Sequence, residues 1–348
     1  MEKVIPGTKN KFVTSIVTIL VILLVVAGYN IYRLRVAGQT KLAVPTFSYP
    51  PTSVFYRYAV RFNGLSATFG SQNISLSQVT AEIEKDMKKV KATGFSGVRL
   101  GYTFQSNNYL ADQAAVKASG QGLYPIATLG GSYTIPEGRA FTPDEMTQWL
   151  NYVRGEVATN KNIIYFWEVW GEPSLYKYGS PEEFVQLLKL TYPVIKKANP
   201  NAKVIVTLGA ETNDKTGFDD RVLALGGGNY FDVLSFHPYA ANPYLQEEPV
   251  RSAISHEQAL LAKYGNHWPL VITEIGQPAS EVSEEEQARL AKFLYTEAAK
   301  NKIPVTWFYW SDEHLLNNEK TGDGSNWGLI RFDGSERPLF NTVKEFLQ

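Results

Sequence analysis

The stretch Tyr165-Phe166-Trp167-Glu168-Val169-Trp170-Gly171-Glu172-Pro173 decides how this chain is read. From Ile163 to Trp170 it is aromatic and β-branched with a single charge, and it stops at Gly171 and Pro173. That composition predicts an internal β-strand over 163–170 rather than a helix. Strand side chains alternate between faces, so Glu168, Trp170 and Glu172 are expected on one face and Trp167 and Val169 on the other. One face then carries two carboxylates, with Glu172 at the strand's exit. In parallel α/β folds the chemistry is kept at that exit.

Outward from this strand, strand-like and helix-like segments alternate from about residue 55 to the end, the pattern of βα units around a parallel sheet. Strands are predicted near 62–69, 96–101, 123–129, 163–170, 203–209, 231–237, 269–275 and 304–310. Thr142-Pro143-Asp144-Glu145, Ser180-Pro181-Glu182-Glu183 and Ser283-Glu284-Glu285-Glu286 each set a capping hydroxyl three residues before a Glu, so helices should begin near 143, 181 and 284. Apolar spacing adds helices near 77–93, 108–119 and 250–264, ending before Gly94, Gly120 and Gly265, and a closing helix from Arg337 to Leu347. Eight strand-helix units predict a (β/α)8 TIM barrel over 55–348.

The residues expected at strand exits are Arg99, Glu172, Glu211, His237, Tyr239, Glu274, Trp310 and Asp312. Pro269-Leu270-Val271-Ile272-Thr273-Glu274-Ile275-Gly276 is a second buried-strand pattern ending on an acid. Arg99 also has a structural reading, as an ion-pair partner of Glu168 deeper in the barrel, and Trp167 and Trp307 read as core. Trp170, on the predicted face of Glu172, is a candidate substrate contact. Glu211 is either a loop carboxylate, a substrate contact or a member of the catalytic pair.

The string Trp167 to Pro173 resembles the W-x-x-x-N-E-P signature on the fourth strand of clan A retaining glycoside hydrolases, families 39 and 5 in particular. Thr273-Glu274-Ile275-Gly276 resembles the clan's seventh-strand ending, His237-Pro238-Tyr239 its sixth-strand H-x-Y, Gly97-Val98-Arg99-Leu100 its second strand, and Thr306-Trp307-Phe308-Tyr309-Trp310 its eighth. Trp327-Gly328-Leu329-Ile330 resembles its closing segment. The resemblance implies Glu172 as general acid/base, Glu274 as nucleophile, Arg99 beneath the nucleophile, His237 and Tyr239 lining the site, and Trp310 as the floor under a sugar. It implies a β-linked oligosaccharide or polysaccharide substrate and no cofactor. Gly171 departs from the pattern, standing where the clan has Asn, and leaves a catalytically lapsed glycan-binding barrel as the rival reading.

The 348 residues are 44% apolar and 13% aromatic, enough for one large core, and contain no Cys, which excludes a disulfide framework. Residues 12–29 carry no charge and nearly match the length that crosses a bilayer, so they are expected to form a transmembrane signal anchor after an N-terminal tail of 1–11. A cleaved signal peptide is the competing reading. Residues 30–54, with Pro45, Pro50 and Pro51, read as a linker, and the barrel is expected outside the cytoplasm. The first 41 residues hold six basic and one acidic residue, leaving 28 basic and 33 acidic, a formal charge of −5 for the remainder. With no basic block, nucleic acid is not an expected partner. Four His, none set beside another ligand on one helix face, predict no metal site.

Overall fold

The computed structural model describes residues 58–62, 76–130, 138–175, 178–209, 217–240, 244–265, 267–312, 326–331 and 333–348. The predicted anchor, the linker and Glu211 lie outside them. Among the described residues no helix is long and apolar enough to cross a membrane.

Eight parallel strands close into a barrel in sequence order: β1 (Tyr58–Arg61), β2 (Gly97–Thr103), β3 (Tyr124–Gly130), β4 (Phe166–Val169), β5 (Lys203–Gly209), β6 (Val233–Phe236), β7 (Leu270–Ile275) and β8 (Val305–Trp307). Closure is made by β1 against β8, with Ala59 opposite Thr306. Eight α-helices are described: α1 (Leu76–Thr93), α2 (Tyr109–Gly120), α3 (Pro143–Thr159), α4 (Pro181–Ala198), α5 (Phe218–Ala224), α6 (Glu247–Lys263), α7 (Glu284–Lys300) and α8 (Pro338–Leu347). The first strand lies earlier than the predicted 62–69.

The three helix starts fall where the capping residues put them. Thr142 and Ser180 form reciprocal boxes with Glu145 and Glu183, each with Pro at the first turn, and Ser283 accepts from the Glu286 amide. These contacts satisfy backbone donors that a helix leaves open at its start. α2 ends one residue later than expected: Gly120 is still helical, and the left-handed residue is Gly122, at φ +71°.

Alternation along the strands divides the side chains into two sets. Those facing the helices, Trp167 and Trp307 among them, make the main core together with helix residues such as Trp149 and Tyr295. Inside the barrel, Ala59, Ile126, Phe166, Ile205, Val233 and Val271 form a separate apolar plug. The residues two further along these six strands are Arg61, Thr128, Glu168, Thr207, Ser235 and Thr273, with Arg99 of β2 at the same inward parity. The barrel is thus apolar in its lower half and polar toward its C-terminal mouth, where a TIM barrel holds its chemistry.

Candidate active site

Glu168 is the centre of the polar layer. Fully buried, it accepts from Arg99 Nε at 2.7 Å, Thr128 Oγ1 at 2.6 Å, Thr207 Oγ1 at 2.5 Å and Thr273 Oγ1 at 2.7 Å. Burial pushes its carboxyl up, but the charges of Arg99 and His237 and the hydrogen bonds from Arg99 and Thr128 outweigh that and hold it at about 2. Arg99 reaches from Glu168 to the mouth, where its second arm donates to Glu274 Oε2 at 2.5 Å. Despite its burial, the two carboxylates raise the guanidinium above the usual arginine range. One cation therefore ties the deep carboxylate to the upper one.

Glu172 stands on the turn after β4, and Glu274 is in β7 one residue before its end. One oxygen of each and a ring nitrogen of His237 all lie within 4.8 Å of one another. Tyr239 donates its hydroxyl to Glu274 Oε1 at 3.4 Å. Burial and the charges of Glu274 and Glu172 push the Tyr239 hydroxyl well above its usual range, so it remains a donor. Gly276 lets the β7 and β8 exits approach, since a Cβ there would meet the Phe308 carbonyl oxygen at 2.2 Å.

The contacts of His237 set the proton count. Its Nε2 lies 2.9 Å from Thr273 Oγ1 and its Nδ1 lies 2.7 Å from Glu172 Oε1. Thr273 gives its single hydroxyl proton to Glu168, so toward His237 it accepts, and Nε2 carries a hydrogen. The short contact at Nδ1 then requires one more proton, shared between His237 and Glu172. Burial lowers the imidazole, but the Glu172 charge and hydrogen bond and the Glu274 charge prevail and raise it above its ordinary 6.5. The contact thus carries a proton between His237 Nδ1 and Glu172 Oε1.

Five of the predicted residues, Arg99, Glu172, His237, Tyr239 and Glu274, come together, and Trp170, Trp310 and Asp312 do not. Trp170 packs outward against Tyr178, Phe141 and Trp149, with ring centroids 4.7, 5.6 and 6.0 Å away. β4 ends at Val169, and Trp170 and Glu172 both adopt left-handed backbone, φ +59° and +52°, so the alternation that would have aimed Trp170 inward has already stopped. Trp310 is completely buried toward the helices, its indole N–H donating to Asp86 of α1 at 3.3 Å and its ring against Phe95 and Phe340. β8 ends three residues earlier, at Trp307, so strand parity does not reach position 310. Asp312 is likewise structural, accepting from Arg337 at 2.7 and 2.8 Å.

The aromatic wall of the mouth comes instead from Trp327, whose ring lies 5.1 Å from Tyr244, 5.4 Å from Phe308 and 6.4 Å from Tyr239. Trp327 was visible in sequence only as part of the closing segment. Arg61 has no signal in the sequence pattern, which sets the first strand after it, whereas β1 spans Tyr58–Arg61. A second trio with ligand-type atoms within 4.8 Å, Asp219, His256 and Glu257, is assembled across α5 and α6, where spacing along one helix gives no sign of it.

No protein-family model matches the sequence, and no curated protein does either. Solved structures share its fold. A family 39 glycoside hydrolase from the gut symbiont Bacteroides cellulosilyticus WH2 superposes with a TM-score of 0.67 at 18% identity, over 84% of this chain and 63% of that one. GH5_18 from Streptomyces cattleya, in complex with GlcNAc, gives 0.63 at 18% identity over 85% and 80%. The exo-β-1,4-mannosidase Op5Man5 from Opitutaceae bacterium strain TAV5 gives 0.63 at 14% identity over 84% and 59%. The chain spans less than two thirds of the first and third of these relatives. Its eight-stranded parallel barrel is the fold of clan A glycoside hydrolases.

Proposed function

We propose that this protein is a retaining glycoside hydrolase that cleaves a β-linked glycan, anchored in a membrane through residues 12–29 with its barrel on the extracytoplasmic side. The observation that carries the reading is the closeness of Glu172 and Glu274, one oxygen of each lying within 4.8 Å of the other. Retaining enzymes hold their carboxyl groups about 5–5.5 Å apart, whereas inverting enzymes leave about 6.5–9.5 Å for a water. Neighbours of the fold that are named as β-glycosidases support a β-linked substrate.

In this reading Glu274, steered by Arg99 and Tyr239, attacks the anomeric carbon while the bond to the leaving oxygen breaks. The proton shared by Glu172 and His237 goes to that oxygen. Glu172 then takes a proton from water, whose oxygen attacks the same carbon and releases Glu274. The Trp327 wall offers an apolar face to the C–H side of a sugar.

Two measurements test the assignment. A 2-fluoroglycoside should label Glu274, as read by peptide mass mapping. Glu172→Ala should slow poor leaving groups at least tenfold more than activated aryl glycosides and be accelerated by azide. Label on another residue, or equal losses across leaving groups, removes the two-Glu mechanism. Gly171 favours one rival, a barrel that binds glycan without turnover, since Gly cannot supply the side-chain donor that an Asn there would give a sugar 2-hydroxyl.

A further inference from the structure

Arg61 closes β1, and its Cα is in register with Arg99 of β2. Both lie at inward parity, so two guanidiniums enter the barrel side by side. Arg99 is paired with Glu168 and Glu274. Arg61 is not: among the described residues no carboxylate lies within ion-pair distance of it. Its guanidinium extends over Gly101, two residues closer to the mouth than Arg99, and a Cβ at Gly101 would sit 2.6 Å from an Arg61 Nη. Glycine at 101 therefore keeps open the space the guanidinium occupies. Burial and the neighbouring Arg99 charge hold Arg61 below the usual arginine range, outweighing Tyr309, Glu274 and Glu168. The cation is placed at the site and faces a like charge.

We propose that Arg61 is a specificity-determining residue that binds an anionic group, the carboxylate of a uronic acid, on the sugar held between Glu172 and Glu274. The inference rests on the glycoside hydrolase reading and deepens it by naming the substrate class. A planar guanidinium fork with several donors is matched to a carboxylate, which it can bind through two parallel hydrogen bonds. The outer part of the chain has a formal charge of −5, so attraction of an anionic glycan must come from charges concentrated at the mouth.

The test compares the full-length protein with Arg61→Met on matched 4-nitrophenyl pairs: β-glucuronide against β-glucoside, β-galacturonide against β-galactoside, and a 6-sulfated β-glucoside. The expected result is a wild-type preference of at least tenfold in kcat/KM for a uronide over its neutral partner, and a ratio that collapses in the variant. Gly101→Ala, which crowds the guanidinium without removing it, should erode the same ratio and serves if Arg61→Met does not fold. Preference for the sulfated glucoside over both uronides would overturn the carboxylate assignment. Equal proportional losses on charged and neutral partners would make Arg61 a structural residue and overturn the proposal. If no glycoside is turned over, the hydrolase reading fails separately, and calorimetric titration with glucuronate and glucose decides Arg61. Uronate binding that is lost in Arg61→Met upholds the anion site, and no selective uronate binding refutes it.

Discussion

Replacing Glu168 by Gln keeps the volume at the centre of the polar layer but removes the charge that balances Arg99. The size of the effect follows from two independent routes. The carboxyl is held at about 2 against an ordinary 4.5, a difference of about 2.5 pH units or roughly 3 kcal/mol. Breaking one partner out of a buried ion pair costs about 3–5 kcal/mol. An unfolding entropy of about 2.1 cal/mol/K per residue over a barrel of roughly 290 residues gives about 0.6 kcal/mol/K. Glu168→Gln should therefore lower Tm by about 5–8 °C at pH 7. Because the folded-state value is depressed, this stabilisation is complete above the ordinary carboxylate value and fades as pH falls toward 2. Calorimetry should find the two melting curves converging between pH 4.5 and 2. A variant melting within about 1 °C of wild type at pH 7, or a gap that does not close in acid, would refute the account of Glu168 as the anchor of Arg99.

Gly171→Asn tests the departure from the fourth-strand pattern: a Cβ there would have only an Arg99 Nη at 3.9 Å, so the side chain has room. If a missing 2-hydroxyl contact limits the enzyme, kcat on an equatorial 2-hydroxyl substrate should rise tenfold or more, about 1.4 kcal/mol. A loss confined to axial or 2-substituted sugars would show that Gly171 makes room for the natural one, and no change on any glycoside would remove this position from substrate contact. The pH profile follows from the shared proton: with His237 raised above its ordinary value, kcat/KM should fall on the alkaline side as pH passes the folded-state imidazole value. His237→Gln should move that limb to lower pH, and an unmoved limb would separate His237 from the acid.

Much of this fold was legible because its signals are local. The hydroxyl-to-Glu spacing at Thr142, Ser180 and Ser283 encodes a hydrogen bond made within one turn, so the helix starts appear in sequence to the residue. Glu172 and Glu274 were legible because each terminates an apolar run. Trp170 and Trp310 were misplaced because strand parity holds only as long as the strand does, and both lie just beyond a strand end. Their true partners, Tyr178 and Asp86, are tertiary neighbours that no period reports. Arg61 and Trp327 reach the mouth through barrel closure, which brings together residues far apart in the chain.

The outward turn of Trp170 gives the acid an unusual mounting. Two non-glycine residues flanking Gly171 sit in left-handed backbone, a conformation costing about 1–3 kcal/mol each that persists only where the surroundings enforce it. The enforcement on one side is a peg: the indole of Trp170 driven into a socket of Phe141, Trp149 and Tyr178. The aim of Glu172 is thus set by grip on the far side of the barrel wall, like a lever whose handle lies outside the room in which its tip works. A socket loosened by a smaller side chain at Tyr178 would let the backbone relax and swing the carboxyl away from His237, with every residue of the mouth still in place.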